Sequence, residues 1–218
     1  MIPQYKLTNL RPPKKITEKI ARAFVTFFRF LADLFFQKRY GHRAVFIETI
    51  ASIPGMVGGF LLHLRCLRKI KEDEGWIRHL LDEAENERMH LMAFIQIAKP
   101  TFFERILIYI VQLFFVKFYF LFYIFSSRLA HRFVGYLEEE AIRSYTDYLA
   151  KVESGDIENI PAPSFGIKYW NLKKSARLSD LIIAIREDER HHRDANHHLS
   201  DLISKKRLLR SPLKQRKK

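Results

Sequence analysis

The sequence predicts an all-α protein of six long helices, and three observations support this fold class. Apolar residues recur at helical spacing through long segments, and no segment alternates apolar and polar residues as a half-buried strand does. Turn-forming residues are scarce, with 8 Gly and 8 Pro among 218 residues, whereas average usage would give about 26. Because 48% of the residues are apolar, the chain can fill a core, and its length predicts a single domain.

The helices are predicted between short breaks. The breaks fall at residues 73–75, at Lys99-Pro100, at Ser126-Ser127 and in the Pro-containing stretch 155–174. The helical segments between them are 16–40, 42–71, 76–98, 102–125, 128–154 and 175–204. We expect residues 1–203 to form the domain and residues 204–218 to form a basic tail.

The first helix, which begins at residue 16, is amphipathic and basic. Its apolar side carries Ile20, Ala23, Phe24, Phe27, Leu31 and Leu34, and its polar side carries Lys15, Lys19, Arg22, Arg29 and Asp33. This pattern is typical of a helix that lies in a membrane interface. A helix that packs its apolar side on the core has the same pattern, so the sequence leaves both interpretations open.

The charge is unevenly distributed along the chain. The formal net charge is +14, and the excess of Lys and Arg lies in residues 1–41 and 204–218, while the middle is nearly neutral. Basic ends on a neutral domain suit an anionic membrane surface. No segment resembles a nucleic-acid-binding fold, so we expect no nucleic-acid partner. The single cysteine, Cys66, excludes a disulfide framework and cysteine-rich zinc or iron–sulfur sites.

Glutamate and histidine recur in a pattern that indicates metal binding. Two segments contain Glu-x-x-His, whose two side chains point to the same side of a helix, and two other helices carry a Glu within apolar sequence. The six residues are Glu48, Glu87, His90, Glu138, Glu189 and His192. One Glu from each of two helices and Glu-x-x-His from each of two others is the ligand set of di-iron and di-manganese proteins with a ferritin-like four-helix bundle.

An ion pair is the alternative explanation for a glutamate in apolar sequence. Glu48 could pair with Arg43 or Arg65 in a solvated groove. Burying an ionised Glu without a partner costs several kcal/mol, and a pair of bound cations removes this cost. The six residues taken together favour the metal site, with helices 42–71, 76–98, 128–154 and 175–204 forming the bundle around it.

The apolar segment 106–125 raises the question of a membrane span. It has one charged residue, Lys117, in 20 residues and is long enough to cross a bilayer. Three predicted ligands precede it and three follow it, so a single crossing would separate the halves of the metal site. We therefore expect helix 102–125 to lie in the membrane interface beside helix 16–40, as in a monotopic protein. A soluble bundle whose apolar faces close a dimer also fits.

Four stretches around the predicted ligands resemble the signature regions of the alternative oxidases. They are residues 46–49 (Phe-Ile-Glu-Thr), 85–91 (Glu-Asn-Glu-Arg-Met-His-Leu), 131–141 and 188–197. The family contains the cyanide-insensitive ubiquinol oxidases of mitochondrial inner membranes in plants, fungi and protists, with bacterial relatives. The resemblance covers residues 16–203, and the strings Asn-Glu-Arg-Met-His and Leu-Glu-Glu-Glu-Ala distinguish it from other ferritin-like proteins.

The resemblance implies a function and a location. It implies a non-haem centre of two iron ions that oxidises ubiquinol and reduces O2 to water without pumping protons, and that cyanide does not inhibit. It also implies a homodimer, with the helix that carries His63 at the dimer interface. The expected location is the matrix side of the mitochondrial inner membrane, and a bacterial cytoplasmic membrane is the second choice.

The resemblance also implies roles for individual residues. The metal ligands are the six residues given above, and Tyr145 matches a tyrosine that supplies a radical electron near the metals. The further positions around the centre are Asn86, His131, Tyr169, Trp170 and Asp188, and the quinol pocket is matched by Arg43, Ile47, Glu140, Ala141 and Ser144. Ile47 departs from the family pattern, which has Leu, and this small change touches the quinol pocket.

Other functions fit the metal pattern as well. A di-iron hydroxylase or desaturase could act on a membrane lipid or a quinone precursor, and a non-enzymatic bundle could store metal or serve as a structural protein. Tyr145 favours the oxidase, because a hydroxylase needs no tyrosine at this position. A storage bundle needs no membrane-facing helices. Plastoquinol is the alternative to ubiquinol as substrate, since plastid relatives share these ligands.

Overall fold

The computed structural model describes residues 10–205, which contain six helices and no strand. The helices are α1 (Ile16–Phe36), α2 (Tyr40–Lys69), α3 (Trp76–Ala98), α4 (Phe102–Glu153), α5 (Ser164–Tyr169) and α6 (Leu178–Ser204). The all-α prediction is confirmed. Nearly all of the predicted basic tail, 204–218, lies outside the described residues.

α4 has a sharp bend at the position of the predicted break. Ser126 has a non-helical backbone, with φ −158° and ψ 86°, and its Oγ accepts a hydrogen bond from the Leu129 amide at 3.3 Å. This is how a serine caps the start of a helix. α4 therefore consists of two helical parts, which we call the first arm (residues 102–125) and the second arm (residues 127–153).

The bend folds the first arm back along the bundle. Phe118 and Phe122 of the first arm contact Phe133 of the second arm, with ring centroids 6.2 and 5.7 Å apart. The first arm also contacts α2, where Gln112 Nε2 donates a hydrogen bond to the Thr49 carbonyl at 3.0 Å. The first arm thus packs against α2 and against the second arm of α4.

α5 is a short helix that the sequence analysis did not predict. It lies in the Pro-containing stretch 155–174 and follows Pro163, whose fixed φ suits the start of a helix. Six residues contain too few turns for apolar spacing to indicate a helix. α5 packs on α3 and brings Tyr169 and Trp170 to the end of the bundle.

α2, α3, the second arm of α4 and α6 form the four-helix bundle. The most extensive packing joins α4 to α6 and α2 to α3, and α2 also packs on α4. The largest apolar cluster of the core contains Phe94, Tyr145, Leu181 and Ile185, all of them buried. This cluster closes one side of the polar site described below.

α1 packs on the bundle through its charged side. Three ion pairs join it to α4: Glu18–Arg128 at 2.8 Å, Arg22–Glu139 at 2.9 Å and Arg29–Glu140 at 2.8 Å. The apolar side of α1 points away from the bundle and is exposed. Of the two interpretations of this amphipathic helix, the structure therefore excludes the one in which its apolar side packs on the core.

Exposed apolar side chains cover α1 and the first arm of α4. Large residues of this surface are Phe24, Phe27, Leu34, Phe103, Phe114 and Phe125. By length and composition, α2 and α4 are the described helices that could cross a membrane, but the apolar window of α2 is half buried while that of α4 is 11% buried. Such a large exposed apolar surface indicates contact with another apolar phase or partner.

α2 and α3 approach each other most closely at a glycine. A Cβ placed on Gly55 would lie 2.5 Å from the Leu80 carbonyl oxygen and 3.0 Å from the Ala84 Cβ. A Cβ on Gly58, one turn further along the same helix, would meet its nearest neighbours at 3.4 Å, an ordinary contact distance. The separation of the two ligand-bearing helices therefore depends on Gly55.

We predict that Gly55→Ala destabilises the protein. The new methyl group would overlap backbone, which cannot move aside as a flexible side chain can, and overpacking of this kind costs about 1–3 kcal/mol. Gly58→Ala is the matched control, because the gain in helix propensity of about 0.5–1 kcal/mol faces no clash. Urea unfolding followed by circular dichroism in detergent measures both, and equal stability of the two variants would contradict the prediction.

Candidate metal centre and adjoining cavity

A cluster of acidic and histidine side chains lies in the middle of the bundle. Glu48 of α2, Glu87 and His90 of α3 and Glu189 of α6 are all buried, and one ligand atom from each lies within 4.8 Å of all the others. His90 Nδ1 is 3.4 Å from Glu48 Oε2, 3.2 Å from Glu87 Oε2 and 3.3 Å from Glu189 Oε1. Three helices thus place three carboxylates around one imidazole nitrogen.

Glu138 and His192 extend this cluster. His192 Nδ1 lies 2.6 Å from Glu87 Oε1 and 3.6 Å from Glu189 Oε2. Glu138, on the second arm of α4, is buried, and its pKa is raised well above the usual range by burial and by the neighbouring Glu189 and Glu87. The structure thus brings all six predicted ligands together, from α2, α3, α4 and α6.

The cluster has a strong requirement for positive charge. Burial raises the pKa of Glu48 well above its usual range, and the nearby Glu87 and Glu189 add to this effect. Burial lowers the pKa values of His90 and His192, but Glu87 and the other carboxylates around each ring together outweigh it and hold both pKa values well above the usual range. Carboxylates packed this closely out of water are stable only with cations or protons among them.

The donor atoms fit a pair of metal ions. Glu48 Oε2, Glu87 Oε1, Glu189 Oε2 and His192 Nδ1 are buried and have no hydrogen-bond partner among the described residues. Glu87 Oε1 and His192 Nδ1 approach each other without the geometry of a hydrogen bond, as two ligands of one ion do. Carboxylate oxygens with one imidazole nitrogen for each ion suit iron or manganese. We conclude that the cluster could hold two such ions.

The outer side of His90 is held by a hydrogen-bonded group around Asp188. Asp188 Oδ2 accepts from Asn86 Nδ2 at 3.0 Å and from Trp170 Nε1 at 2.7 Å, and it lies 3.3 Å from His90 Nε2. The Tyr169 hydroxyl accepts from Asn86 at 3.1 Å. Four of the five predicted positions around the centre therefore meet here. A carboxylate on the outer nitrogen orients the ring and directs the other nitrogen to the metal.

Tyr145 is directly connected to the cluster. Its hydroxyl donates a short hydrogen bond to Glu48 Oε1, and its ring stacks on Phe94 with centroids 5.6 Å apart. Burial raises the pKa of Tyr145 well above its usual value, and the Glu48 carboxylate raises it further. The phenol therefore keeps its proton at neutral pH and shares it with a predicted ligand.

His131 is the fifth predicted position around the centre, and its hydrogen-bond partners differ from those of the other four. Its Nδ1 is 2.9 Å from Asn196 Oδ1, and its Nε2 is 3.1 Å from the Tyr123 hydroxyl. Neither of these two partners is a predicted ligand. Burial lowers the pKa of His131 to about 4, although the bond to Asn196 opposes this. His131 is therefore a neutral ring in a separate hydrogen-bonded chain.

Sequence analysis missed Glu83, which lies next to the centre. Glu83 lies one turn before Glu87 on α3 and is buried, and its Oε1 accepts from Asn196 Nδ2 at 2.8 Å. Burial raises the pKa of Glu83 to about 7, although His192 opposes the rise. The spacing of four between Glu83 and Glu87 was the available signal. It was obscured because Asp82 and Glu85 make the segment look like a solvated acidic face.

A mostly apolar cavity adjoins Glu138 between α1, α2 and both arms of α4. All five residues predicted for the quinol pocket line it: Arg43, Ile47, Glu140, Ala141 and Ser144. Apolar residues of each helix complete the lining, among them Val25, Phe28, Phe46, Phe115 and Leu137. Glu138 is part of the lining. The cavity therefore extends from the exposed apolar surface to a predicted ligand.

The polar groups of the cavity form one network. Arg43 donates to Asp33, and its Nε and Nη2 are buried without a hydrogen-bond partner among the described residues. Arg29 donates to Glu140 Oε2 at 2.8 Å and to Asp33 Oδ2 at 3.2 Å. Arg29 and Asp33 also line the cavity. Sequence analysis placed these two only on the polar side of α1, which gives no indication of a pocket.

The sequence is similar to a known family over nearly its whole length. The family model described as Alternative oxidase matches residues 4–201. Ubiquinol oxidase 2, mitochondrial, of Glycine max is 56% identical over 196 residues, which are 90% of this chain and 59% of the relative. Ubiquinol oxidase 1a, mitochondrial, of Oryza sativa subsp. japonica is 54% identical over 196 residues, again 90% and 59%.

A fungal relative gives the same result. Ubiquinol oxidase, mitochondrial, of Batrachochytrium dendrobatidis is 53% identical over 193 residues, which are 88% of this chain and 61% of the relative. The chain spans about three fifths of the length of these curated relatives. With the matching family model and a cluster of Glu and His residues in a helical bundle, these identities show that the chain belongs to the alternative oxidase family.

Proposed function

We propose that the protein is a quinol oxidase that transfers electrons from ubiquinol to O2 and forms water at a pair of iron ions, insensitive to cyanide. This proposal rests mainly on the apolar cavity. Its lining includes Arg43, which has two nitrogens without a hydrogen-bond partner among the described residues, and it also includes Glu138. A quinol bound there would lie directly beside the candidate metal centre. The names of the relatives support ubiquinol as the substrate.

The reaction balances with two quinols for each O2. Each quinol gives two electrons and two protons, and O2 takes four of each to form two waters. Bound iron would supply the redox states that connect a two-electron donor to a four-electron acceptor. Six residues would hold it: Glu48, Glu87, His90, Glu138, Glu189 and His192.

The cavity residues bind and orient the quinol. Arg43 Nε and Nη2 can donate to one ring oxygen, because both are buried and have no other acceptor among the described residues. Glu140 can accept a hydroxyl proton at its carboxylate, which Arg29 holds in place. Ile47 and Ala141 pack against the faces of the ring. A few polar groups in an apolar pocket set orientation in this way.

Tyr145 can supply one electron close to the centre. Loss of an electron makes a phenol strongly acidic, and the proton of Tyr145 then moves along its hydrogen bond to Glu48 Oε1. When the electron returns, the proton moves back to the phenol oxygen. The apolar surroundings of Tyr145 and Phe94 exclude water from the radical.

We propose a monotopic position on the matrix side of the mitochondrial inner membrane. The exposed apolar surface of α1 and the first arm of α4 supports attachment to a membrane, and the names of the relatives support the mitochondrion. Basic residues next to this surface would contact anionic lipid headgroups. α2 also exposes Met56, Phe60, His63 and Leu67 at helical spacing. We propose this stripe as the homodimer interface. The membrane and the dimer partner thus cover different apolar surfaces.

We predict that the purified protein consumes O2 when given a short-chain ubiquinol in the presence of cyanide. Glu138→Ala should abolish uptake, and Tyr145→Phe should lower kcat by more than about tenfold, because it removes the proton and electron donor next to Glu48. Tyr148→Phe is the matched control, a buried tyrosine of the same helix without a bond to the cluster. Absence of uptake by folded, iron-loaded protein would instead favour a hydroxylase acting on a lipid or quinone precursor.

We predict that Arg43→Gln raises the KM for quinol about tenfold, since one charge-assisted hydrogen bond contributes about 1.4 kcal/mol. The KM for O2 should not change, because Arg43 lines the cavity and is not one of the predicted ligands. Arg105→Gln, on the first arm outside the cavity, serves as the control. Steady-state kinetics with each substrate varied in turn measure both constants. A rise in both KM values for Arg43→Gln would argue against a quinol contact.

We predict that Phe27→Glu with Leu34→Glu reduces binding to vesicles that contain cardiolipin. Each side chain contributes about 1.5–3 kcal/mol when it leaves water, so the double variant should bind at least about a hundredfold more weakly. Met56→Glu with Leu67→Glu changes the α2 stripe and should bind as the wild type does. Vesicle co-sedimentation measures the partition coefficient, and equal loss in both double variants would contradict a membrane-specific surface.

A further inference from the structure

Four buried side chains form a hydrogen-bonded chain that ends at Glu83. The Tyr123 hydroxyl lies 3.1 Å from His131 Nε2, His131 Nδ1 lies 2.9 Å from Asn196 Oδ1, and Asn196 Nδ2 donates to Glu83 Oε1 at 2.8 Å. All four residues are buried. They come from both arms of α4, from α6 and from α3, so the chain joins elements that are distant in sequence.

The Glu83 carboxylate at the end of this chain determines which group donates and which accepts in each of its hydrogen bonds. Asn196 must present its amide N–H groups to Glu83, so its oxygen faces His131. His131 then donates from Nδ1, and its Nε2 accepts from the Tyr123 hydroxyl. Because an amide stands in the middle, the chain does not conduct protons. It is suited to holding the Glu83 carboxylate in one place.

Glu83 is held on the His192 side of the candidate metal centre. Asn196 Nδ2 also donates to the His192 carbonyl at 3.0 Å, so the same amide fixes Glu83 and the turn of α6 that carries His192. Glu83 lies one turn from Glu87, and its Oε2 is buried without a hydrogen-bond partner among the described residues. Neither the cavity nor the hydrogen bond of Tyr145 uses this carboxylate.

The two histidines of the cluster differ in their outer surroundings. His90 Nε2 lies next to the Asp188 carboxylate at 3.3 Å, whereas no such contact is present at His192 in the described part of the chain. Glu83 is instead linked to the backbone of His192 through Asn196, whose Nδ2 donates to Glu83 Oε1 and to the His192 carbonyl. Asp188 thus places a negative charge on the His90 side of the cluster, and Glu83 in its ionised form places one on the His192 side.

We propose that Glu83 is a positioning residue that sets the reduction potential of the metal centre from the His192 side, a role that rests on the proposed function. A fixed negative charge beside a redox centre stabilises its oxidised form and lowers its potential. Tyr123, His131 and Asn196 hold the charge at a constant distance. Glu83 itself acts through His192 and Glu87 and does not contact the substrates.

The test compares iron-loaded Glu83→Gln with the wild type by redox titration of the iron signal at a pH well above 7, where Glu83, whose pKa burial raises to about 7, is ionised. The glutamine keeps the acceptor for Asn196 and removes the charge, so we expect unchanged iron content and an upward shift of the midpoint potential. Asp82→Asn is the matched control, a neighbouring carboxylate on the exposed side of α3, and should leave the potential unchanged. Asn196→Leu, which releases Glu83 from the chain, should also raise the potential.

The outcomes separate this inference from the proposed function. Wild-type protein that folds but takes up no iron would overturn the proposed function itself. Folded Glu83→Gln that has lost its iron would make Glu83 a ligand and overturn the positioning role. Iron-loaded Glu83→Gln with the wild-type potential, or a shift of equal size in Asp82→Asn, would show that Glu83 has only a structural role. If Glu83→Gln does not fold, Asn196→Leu with the wild-type potential overturns the inference.

Discussion

Four carboxyl groups, those of Glu48, Glu87, Glu138 and Glu189, are buried together in an otherwise apolar bundle. Their mutual repulsion and the loss of water would destabilise the bundle if cations or protons were not placed among them. The surrounding polar side chains can supply part of this charge. The imidazoles of His90 and His192 lie within the cluster, and the hydrogen-bonded group around Asp188 holds His90 from outside. The same arrangement makes the core suited to cations that change oxidation state.

The cluster of six side chains could be predicted from the sequence, because the need for positive charge among buried carboxyl groups shows in the spacing of Glu and His. Glu87 with His90, and Glu189 with His192, share a helix face because they are three residues apart, and a glutamate such as Glu48 within apolar sequence needs a specific reason. All six residues meet in the fold. The bend at Ser126 was predictable as a break, but the sequence did not show that the chain reverses there, since this depends on contacts such as Phe118 with Phe133.

The positions of other side chains in and around the site depend on tertiary contacts, which a local sequence pattern does not indicate. Glu83 looked like one more surface acid, and only its contact with Asn196, 113 positions away, places it in the core. Arg29 and Asp33 belong to the polar side of an amphipathic helix, and their place in a cavity follows from the way α1 docks. His131 matched a position near the centre but turns toward Tyr123, because the bend brings that tyrosine within hydrogen-bond distance.

α1 has two roles at once, since its charged side forms a wall of the cavity while its other side is exposed and apolar. A hydrophobic substrate would therefore pass from lipid to cavity without crossing bulk water. In the proposed function, the search of the quinol for the enzyme would be two-dimensional, and saturation would depend on the mole fraction of quinol in the bilayer rather than on its concentration in solution. Diluting the membrane with inert lipid should thus slow turnover even when the amounts of enzyme and quinol stay constant.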